Sequence, residues 1–150
     1  MASSLLWCLL VTCVLSVVRI YGEERMVLKV LNLRASNLNN GMFQTPDGYV
    51  KVFLGPRYGG KTEVRNDQHD PWWKEEFGFF NALENDLLKL EVYDSDFVID
   101  DLLGSCERSI KNGTFQHECF LKKGGTLHYT YTLGPIQQNL EDFENLEALE

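Results

Sequence analysis

Short runs of alternating apolar and polar residues account for most of the chain between residues 26 and 133. "MVLKVLNL" (26–33), "YVKVFL" (49–54), "KTEVR" (61–65), "EEFGFF" (75–80), "LKLEVY" (88–93), "LLGSCERS" (102–109), "TFQHECFL" (114–121) and "TLHYTYTL" (126–133) carry the pattern. A period of two sends successive side chains to opposite faces of a strand, so each run is predicted to be a β-strand with one face toward a core. Gly, Pro, Asn and Asp gather between the runs and mark turns. Eight short strands in about 110 residues, with no long helical period and no internal repeat, predict an all-β fold, an eight-stranded antiparallel β-sandwich.

The two ends break the pattern. "MASSLLWCLLVTCVLSVVRIYG" (1–22) holds an apolar run, Leu5 to Val18, closed by the small residue Gly22. This is expected to be a secretory signal peptide, although its first residues lack a basic side chain. The alternative is an N-terminal membrane anchor, against which the run is short of the ~20 residues a span needs. Residues 23–135 are then the folded domain. In the tail, 136–150, Leu140, Phe143, Leu146 and Leu149 recur at three-residue steps among acids. It reads as an acidic C-terminal tail rather than a helix.

Charge narrows the function classes. The chain has 14 basic and 22 acidic residues, a net charge of −8. Removing residues 1–22 takes away Arg19 and no acid, which makes it one unit more negative. Such a protein is a poor nucleic-acid binder, because phosphate contacts need clustered Lys and Arg. The same leader carries away Cys8 and Cys13, leaving Cys106 and Cys119. An even pair in an oxidising compartment is expected to form a disulfide, the alternative being two buried free thiols. As the cysteines lie on consecutive predicted strands, the bond is expected to pin a hairpin. "NGT" at Asn112 is a glycosylation acceptor between them.

Three inter-strand stretches carry clustered oxygen-bearing side chains, "NNGMFQTPDGY" (39–49), "NDQHDPWW" (66–73) and "YDSDFVIDD" (93–101). Alternate connections of a sandwich emerge at the same end, so these loops are predicted to meet. Gathering Asp47, Asp67, Asp94 and Asp96 costs several kcal/mol of repulsion unless a cation lies between them. Ca²⁺ suits such a set, taking ~6–8 oxygens in flexible geometry, whereas Mg²⁺ demands a tight octahedron. Asp94 and Asp96 flank Ser95 and are expected to point the same way. No twelve-residue loop of the EF-hand type is present. Nor is there a G-x-S-x-G, a Ser/His/Asp constellation or a phosphate-cradling glycine loop, so no catalysis is expected.

"DGYVKVFLG", "NDQHDPWWKEEFGF" and "LKLEVYDSDFVIDDLLGSC", in that order and spacing, resemble the C2 domain family over nearly all of residues 26–133. Within the family the chain resembles the C-terminal C2 domain of perforin, which shares "DGYVKVF", "LLGSCERS" and a Cys pair with twelve residues between. "MFQTPDGYV" and the length of "YDSDFVIDDLLG" are similar to the cytosolic phospholipase C2 domain. The resemblance implies Ca²⁺ held by loops at one end of a sandwich and Ca²⁺-dependent docking on phospholipid. It implies as ligands Asp47, the Thr45 backbone carbonyl, Asp67, Asp94 and Asp96 with Ser95 between them, and Asp100 or Asp101. It departs from the family in the first loop, where Gly41 and Gln44 stand in place of aspartates. Gln44 and Asn40 offer only neutral amide oxygens, so affinity is expected in the extracellular range of ~10⁻⁴–10⁻³ M.

Phe97, Val98 and Ile99, with Met42 and Phe43 in the first loop, are expected to be apolar tips that meet the membrane. Few Lys or Arg accompany them, which points to a neutral, phosphatidylcholine-like surface, with Lys51, Lys61 and Arg65 as a candidate basic patch. The expected product is a secreted, monomeric, Ca²⁺-dependent phospholipid-binding module. It would be extracellular or in a secretory-granule lumen, have a possible immune role, and lack a pore-forming domain. The competing reading is a Ca²⁺-ordered module for a protein partner. Of the adjacent Trp72 and Trp73, the resemblance implies that Trp73, two residues after Pro71, is the core aromatic, with a membrane-facing Trp72 as the alternative.

Overall fold

The computed structural model describes residues 26–41 and 44–135. The predicted leader, the acidic tail, Met42 and Phe43 lie outside the described residues. Eight strands follow one another: β1 (Met26–Ser36), β2 (Gly48–Leu54), β3 (Arg57–Lys61), β4 (Phe77–Ala82), β5 (Leu87–Asp94), β6 (Asp101–Ser109), β7 (Gly113–Phe120) and β8 (Thr126–Pro135). They form two four-stranded sheets, ordered β4-β1-β8-β7 and β3-β2-β5-β6. Every pairing between them is antiparallel.

Alternation decides which face is inside. In β5, Leu88, Leu90 and Val92 are fully buried, while Lys89, Glu91 and Tyr93 between them face outward. β1 contributes Leu28, Val30 and Leu33 to the same core, and β8 contributes Leu127, Tyr129, Tyr131 and Leu133. Trp73 is completely buried, as the resemblance implies, and Trp72 is 58% exposed.

Two expectations change. The third strand was expected at 61–65 and lies at Arg57–Lys61, directly after a two-residue Gly55–Pro56 turn. Two local causes are visible. The Thr62 hydroxyl accepts the Val50 N–H at 3.0 Å, so a side chain replaces the ladder carbonyl and ends regular pairing. In "RYGG", a Cβ on Gly59 would lie 2.3 Å from the Phe79 ring, so only glycine lets this edge approach the other sheet.

The disulfide is present, Cys106 to Cys119 with Cα atoms 6.0 Å apart, but it pins no hairpin. β6 edges one sheet and β7 edges the other, so the bond crosses between sheets. The connection at 110–112 passes from sheet to sheet rather than turning within one. Asn112 is exposed there. Above the disulfide the seam stays closed: a Cβ on Gly104 would come within 2.8 Å of the Lys122 N, and the Lys123 N–H bonds Leu103 O at 2.9 Å.

Candidate metal centre and membrane tip

Asp94 is the last residue of β5, opposite Gly48 of β2, and is only 6% exposed. A buried carboxylate must be hydrogen-bonded. Its Oδ1 accepts the Asp47 backbone N–H at 2.7 Å and its Oδ2 accepts the Asn40 amide at 2.9 Å. The Ser95 N–H donates to Asp47 O at 2.9 Å. One carboxylate thus fastens the first loop to the third. Asp47 reaches on to the second loop, where its Oδ1 accepts the Asp67 N–H at 2.8 Å. Asp67 has a positive φ of 53°, a left-handed conformation that Asp tolerates, which turns this N–H toward Asp47. Gln68 N–H to Pro46 O and a Leu38–His69 pair complete the junction. The three acidic loops therefore share one end.

The third loop carries its own internal bonds. The Asp96 N–H donates to Asp100 Oδ1 at 3.1 Å, and the Tyr49 hydroxyl donates to Asp100 Oδ2 at 2.5 Å. The Tyr49 bond, then the Asp96 N–H, holds the Asp100 carboxyl below the usual carboxylate range. Burial, and next the bond to Asp100, pushes the Tyr49 phenol up. Asp101, which heads β6, is contacted by the Lys123 ammonium. The two acids before "LLG" are thus committed differently, Asp100 to a phenol and Asp101 to a cation. Gln44, Asp67 and Asp96 are exposed, and Thr45, Asp47 and Ser95 are half-buried. Between Asp96 and Asp100 the loop projects Phe97 at 110%, Val98 at 91% and Ile99 at 78% exposure, so this tip does not fold back onto the domain.

The family model for the C2 domain matches residues 26–129. The chain belongs to the C2 domain family. Mouse perforin-1 is 36% identical over 100 residues, covering 65% of this chain and 18% of perforin-1. A solved C2-domain structure is 54% identical, with a TM-score of 0.68, covering 73% of this chain and 98% of its own. Human group IVD cytosolic phospholipase A2 shares the fold at 23% identity and a TM-score of 0.65, over 75% of this chain and 18% of that one. The chain spans less than a fifth of the perforin and phospholipase chains it matches.

C2 domains are non-catalytic modules that typically bind Ca²⁺ and phospholipid membranes. The donor set of this C2 domain fits a hard cation, because its loop acids offer oxygen alone. Asp94 and Asp47 hold protein donors on some lone pairs, and a carboxylate has about four acceptor positions. Among the described residues, no three His, Cys, Asp or Glu side chains stand at metal-holding spacing. The first loop's Asn40, flagged as a neutral oxygen donor, turns its amide nitrogen to Asp94 instead. Sequence reasoning missed Tyr49 and Lys123 as the partners of Asp100 and Asp101. Tyr49 reads as one more outward strand residue, and Lys123 lies more than twenty residues downstream.

The candidate basic patch is partly assembled. Lys51 and Lys61 are register partners on β2 and β3, and their ammonium groups lie over the stacked Tyr49 and Tyr93 rings. Arg65 turns away, donating to Trp72 O at 3.1 Å.

Proposed function

We propose that this C2 domain is a secreted, monomeric module that docks on phospholipid surfaces when Ca²⁺ fills its acidic loops, acting outside cells or in a secretory-granule lumen. One observation carries the reading: the fully exposed Phe97–Val98–Ile99 tip stands on the same loop as Asp94, Asp96 and Asp100. Anionic side chains beside an apolar tip oppose its entry into a membrane, since a charge resists leaving water. Bound Ca²⁺ supplies the missing charge and takes lipid phosphate oxygens as further ligands. Asp47 and Asp94 hold the loops in place, Asp67 and Asp96 present carboxylates outward, and the Thr45 carbonyl and Gln44 add neutral oxygens. Phe97, Val98 and Ile99, with Met42 and Phe43, then supply adhesion of ~1.5–3 kcal/mol for each side chain fully buried. The apolar character of the tip supports a phosphatidylcholine-like target. An immune role follows only from the likeness to perforin-1.

The test is cosedimentation of the purified protein with phosphatidylcholine liposomes, in millimolar Ca²⁺ and in chelator, beside anionic liposomes. Pelleting with phosphatidylcholine only in Ca²⁺ is expected. Absence of pelleting with either lipid overturns the reading and makes the loops a protein-binding surface.

A further inference from the structure

The outer face of the β4-β1-β8-β7 sheet holds a groove of about 400 Å³. Strand register shows how it is built. Trp72 bridges Arg34, Arg34 pairs with His128, and His128 pairs with Glu118, so four side chains form one continuous row. Ala35 N–H to Pro71 O and Trp73 N–H to Leu33 O, both 2.9 Å, flank the first pair. That makes it a non-hydrogen-bonded pair, the arrangement that brings opposite side chains closest. Below it runs a second row in which Thr130 pairs with Gln116 and receives the Asn32 amide at 3.5 Å. Asn32 has a φ of 56° and lies in a β1 bulge between Leu31 and Arg34. The bulge bends the sheet and gives the face its concavity.

We propose that this groove binds carbohydrate, a neutral hexose or N-acetylhexosamine unit of a glycan. Its charges balance, with one guanidinium and one carboxylate, so neither an anion nor a cation is favoured as a ligand. Among the described residues no carboxylate pairs with Arg34, so its planar fork is available to a ligand. Arg, Asn, Gln and Glu offer paired donors or acceptors in a plane, which match the adjacent hydroxyls of a sugar. A sugar also has an apolar face, and Trp72, which lies outside the groove's lining but pairs with Arg34 at its edge and is 58% exposed, offers a flat surface to cover it. The floor is already ordered: the Ser36 hydroxyl and Glu118 carboxylate lie 2.9 Å and 3.1 Å from the two ring nitrogens of His128.

This chain of three has the composition of a hydrolase triad, but it lacks a place for a developing oxyanion. The backbone N–H groups that follow Ser36 in the chain, of Asn37 and Leu38, are bonded to Asp70 Oδ1 and His69 O. Binding, not acyl transfer, is the chemistry the groove supports.

The test uses the full chain in chelator, so that Ca²⁺-dependent docking plays no part. Saturation-transfer NMR is run with methyl α-mannoside, methyl β-galactoside, methyl α-glucoside and N-acetylglucosamine, and a fluorescently labelled sample is applied to a glycan array. At least one sugar is expected to bind. Affinity should fall tenfold or more in Trp72→Ala and in Arg34→Ala, with Ca²⁺-dependent liposome binding kept. Gln116→Ala, on the edge strand, gives a second groove variant if either of those unfolds. Binding to no sugar, or binding that survives all the folded groove variants, overturns the proposal.

Discussion

Asp94 and Asp47 form a clasp: the Asp94 carboxylate accepts the Asp47 backbone N–H at 2.7 Å, and the next residue, Ser95, donates to the Asp47 carbonyl at 2.9 Å. Because Asp94 also accepts the Asn40 amide, both of its oxygens face donors. Asp94→Asn keeps the size but sets an NH₂ group against one of them. The expected loss of folding stability is about 1–3 kcal/mol, the cost of leaving a buried polar group unsatisfied. On the proposed function, the variant should also lose the rise in thermal midpoint that Ca²⁺ gives the wild-type protein. Thermal melts in Ca²⁺ and in chelator measure both effects. A variant with wild-type stability would show the clasp to be incidental.

The Cys106–Cys119 bond joins edge strands of different sheets and closes a loop with a sequence separation of 13. Loop-closure entropy for about 15 residues corresponds to roughly 3 kcal/mol. Replacing both cysteines with Ser should therefore lower stability by about 2–4 kcal/mol in urea unfolding. The same seam runs up through Gly104, Leu103 and Lys123 to Asp101. Hydrogen exchange in the variant should accordingly rise first at 101–105 and 121–123. A uniform rise across both sheets would instead mean that the bond acts only on the unfolded chain.

Where a strand buries one clean face, as β5 does with Leu88, Leu90 and Val92, period-two alternation was enough to read it. β3 was misplaced because Thr62 and Arg65 lie beside β2 without regular pairing: one uses a side chain in the ladder and the other a lone bridge. Neither feature has a periodic signal. The cysteine pair was legible, but not the sheets it joins, since neighbours in sequence need not be neighbours in a sheet. At the site, clustered aspartates and apolar tip residues stand out along the chain. The partners that orient them, Tyr49 for Asp100 and Lys123 for Asp101, come from distant strands and emerge only once the sheets pack.

Phe97, Val98 and Ile99 have almost no contact with the rest of the domain. Changing all three to Ser should leave folding stability within about 0.5 kcal/mol, as for other exposed positions. Half-burial of three such side chains in lipid corresponds to about 2–4 kcal/mol. Liposome affinity in Ca²⁺ should therefore drop on the order of a hundredfold, while the Ca²⁺-induced thermal shift measured without lipid persists. That separation tests whether the acids bind the cation and the tip binds the membrane. Loss of the thermal shift together with lipid binding would mean that the tip helps to build the metal site.

His117 of β7 provides the pH prediction. Its ring stacks on Tyr131 at 5.4 Å, meets Tyr129 at 5.5 Å, and buries Nε2 without a hydrogen-bond partner. Phe115 stacks beside it on β7, Tyr129 and Tyr131 face it from β8, and Arg108 is the nearby charge from β6. Burial, and next the Arg108 charge, lowers its pKa from the ordinary histidine value. In the unfolded chain the ring titrates near about 6.5. Between the folded and unfolded values the unfolded chain therefore binds more protons, so stability rises with pH. The stabilising contribution is complete above about pH 6.5 and is lost as pH falls through the folded value. Urea midpoints of the wild-type protein should decline between pH 7.5 and pH 5. His117→Phe keeps an aromatic ring among Phe115, Tyr129 and Tyr131 but has no proton to bind, so its decline should be shallower. Parallel curves for the two proteins would assign the acid sensitivity to other groups and leave His117 with a packing role alone.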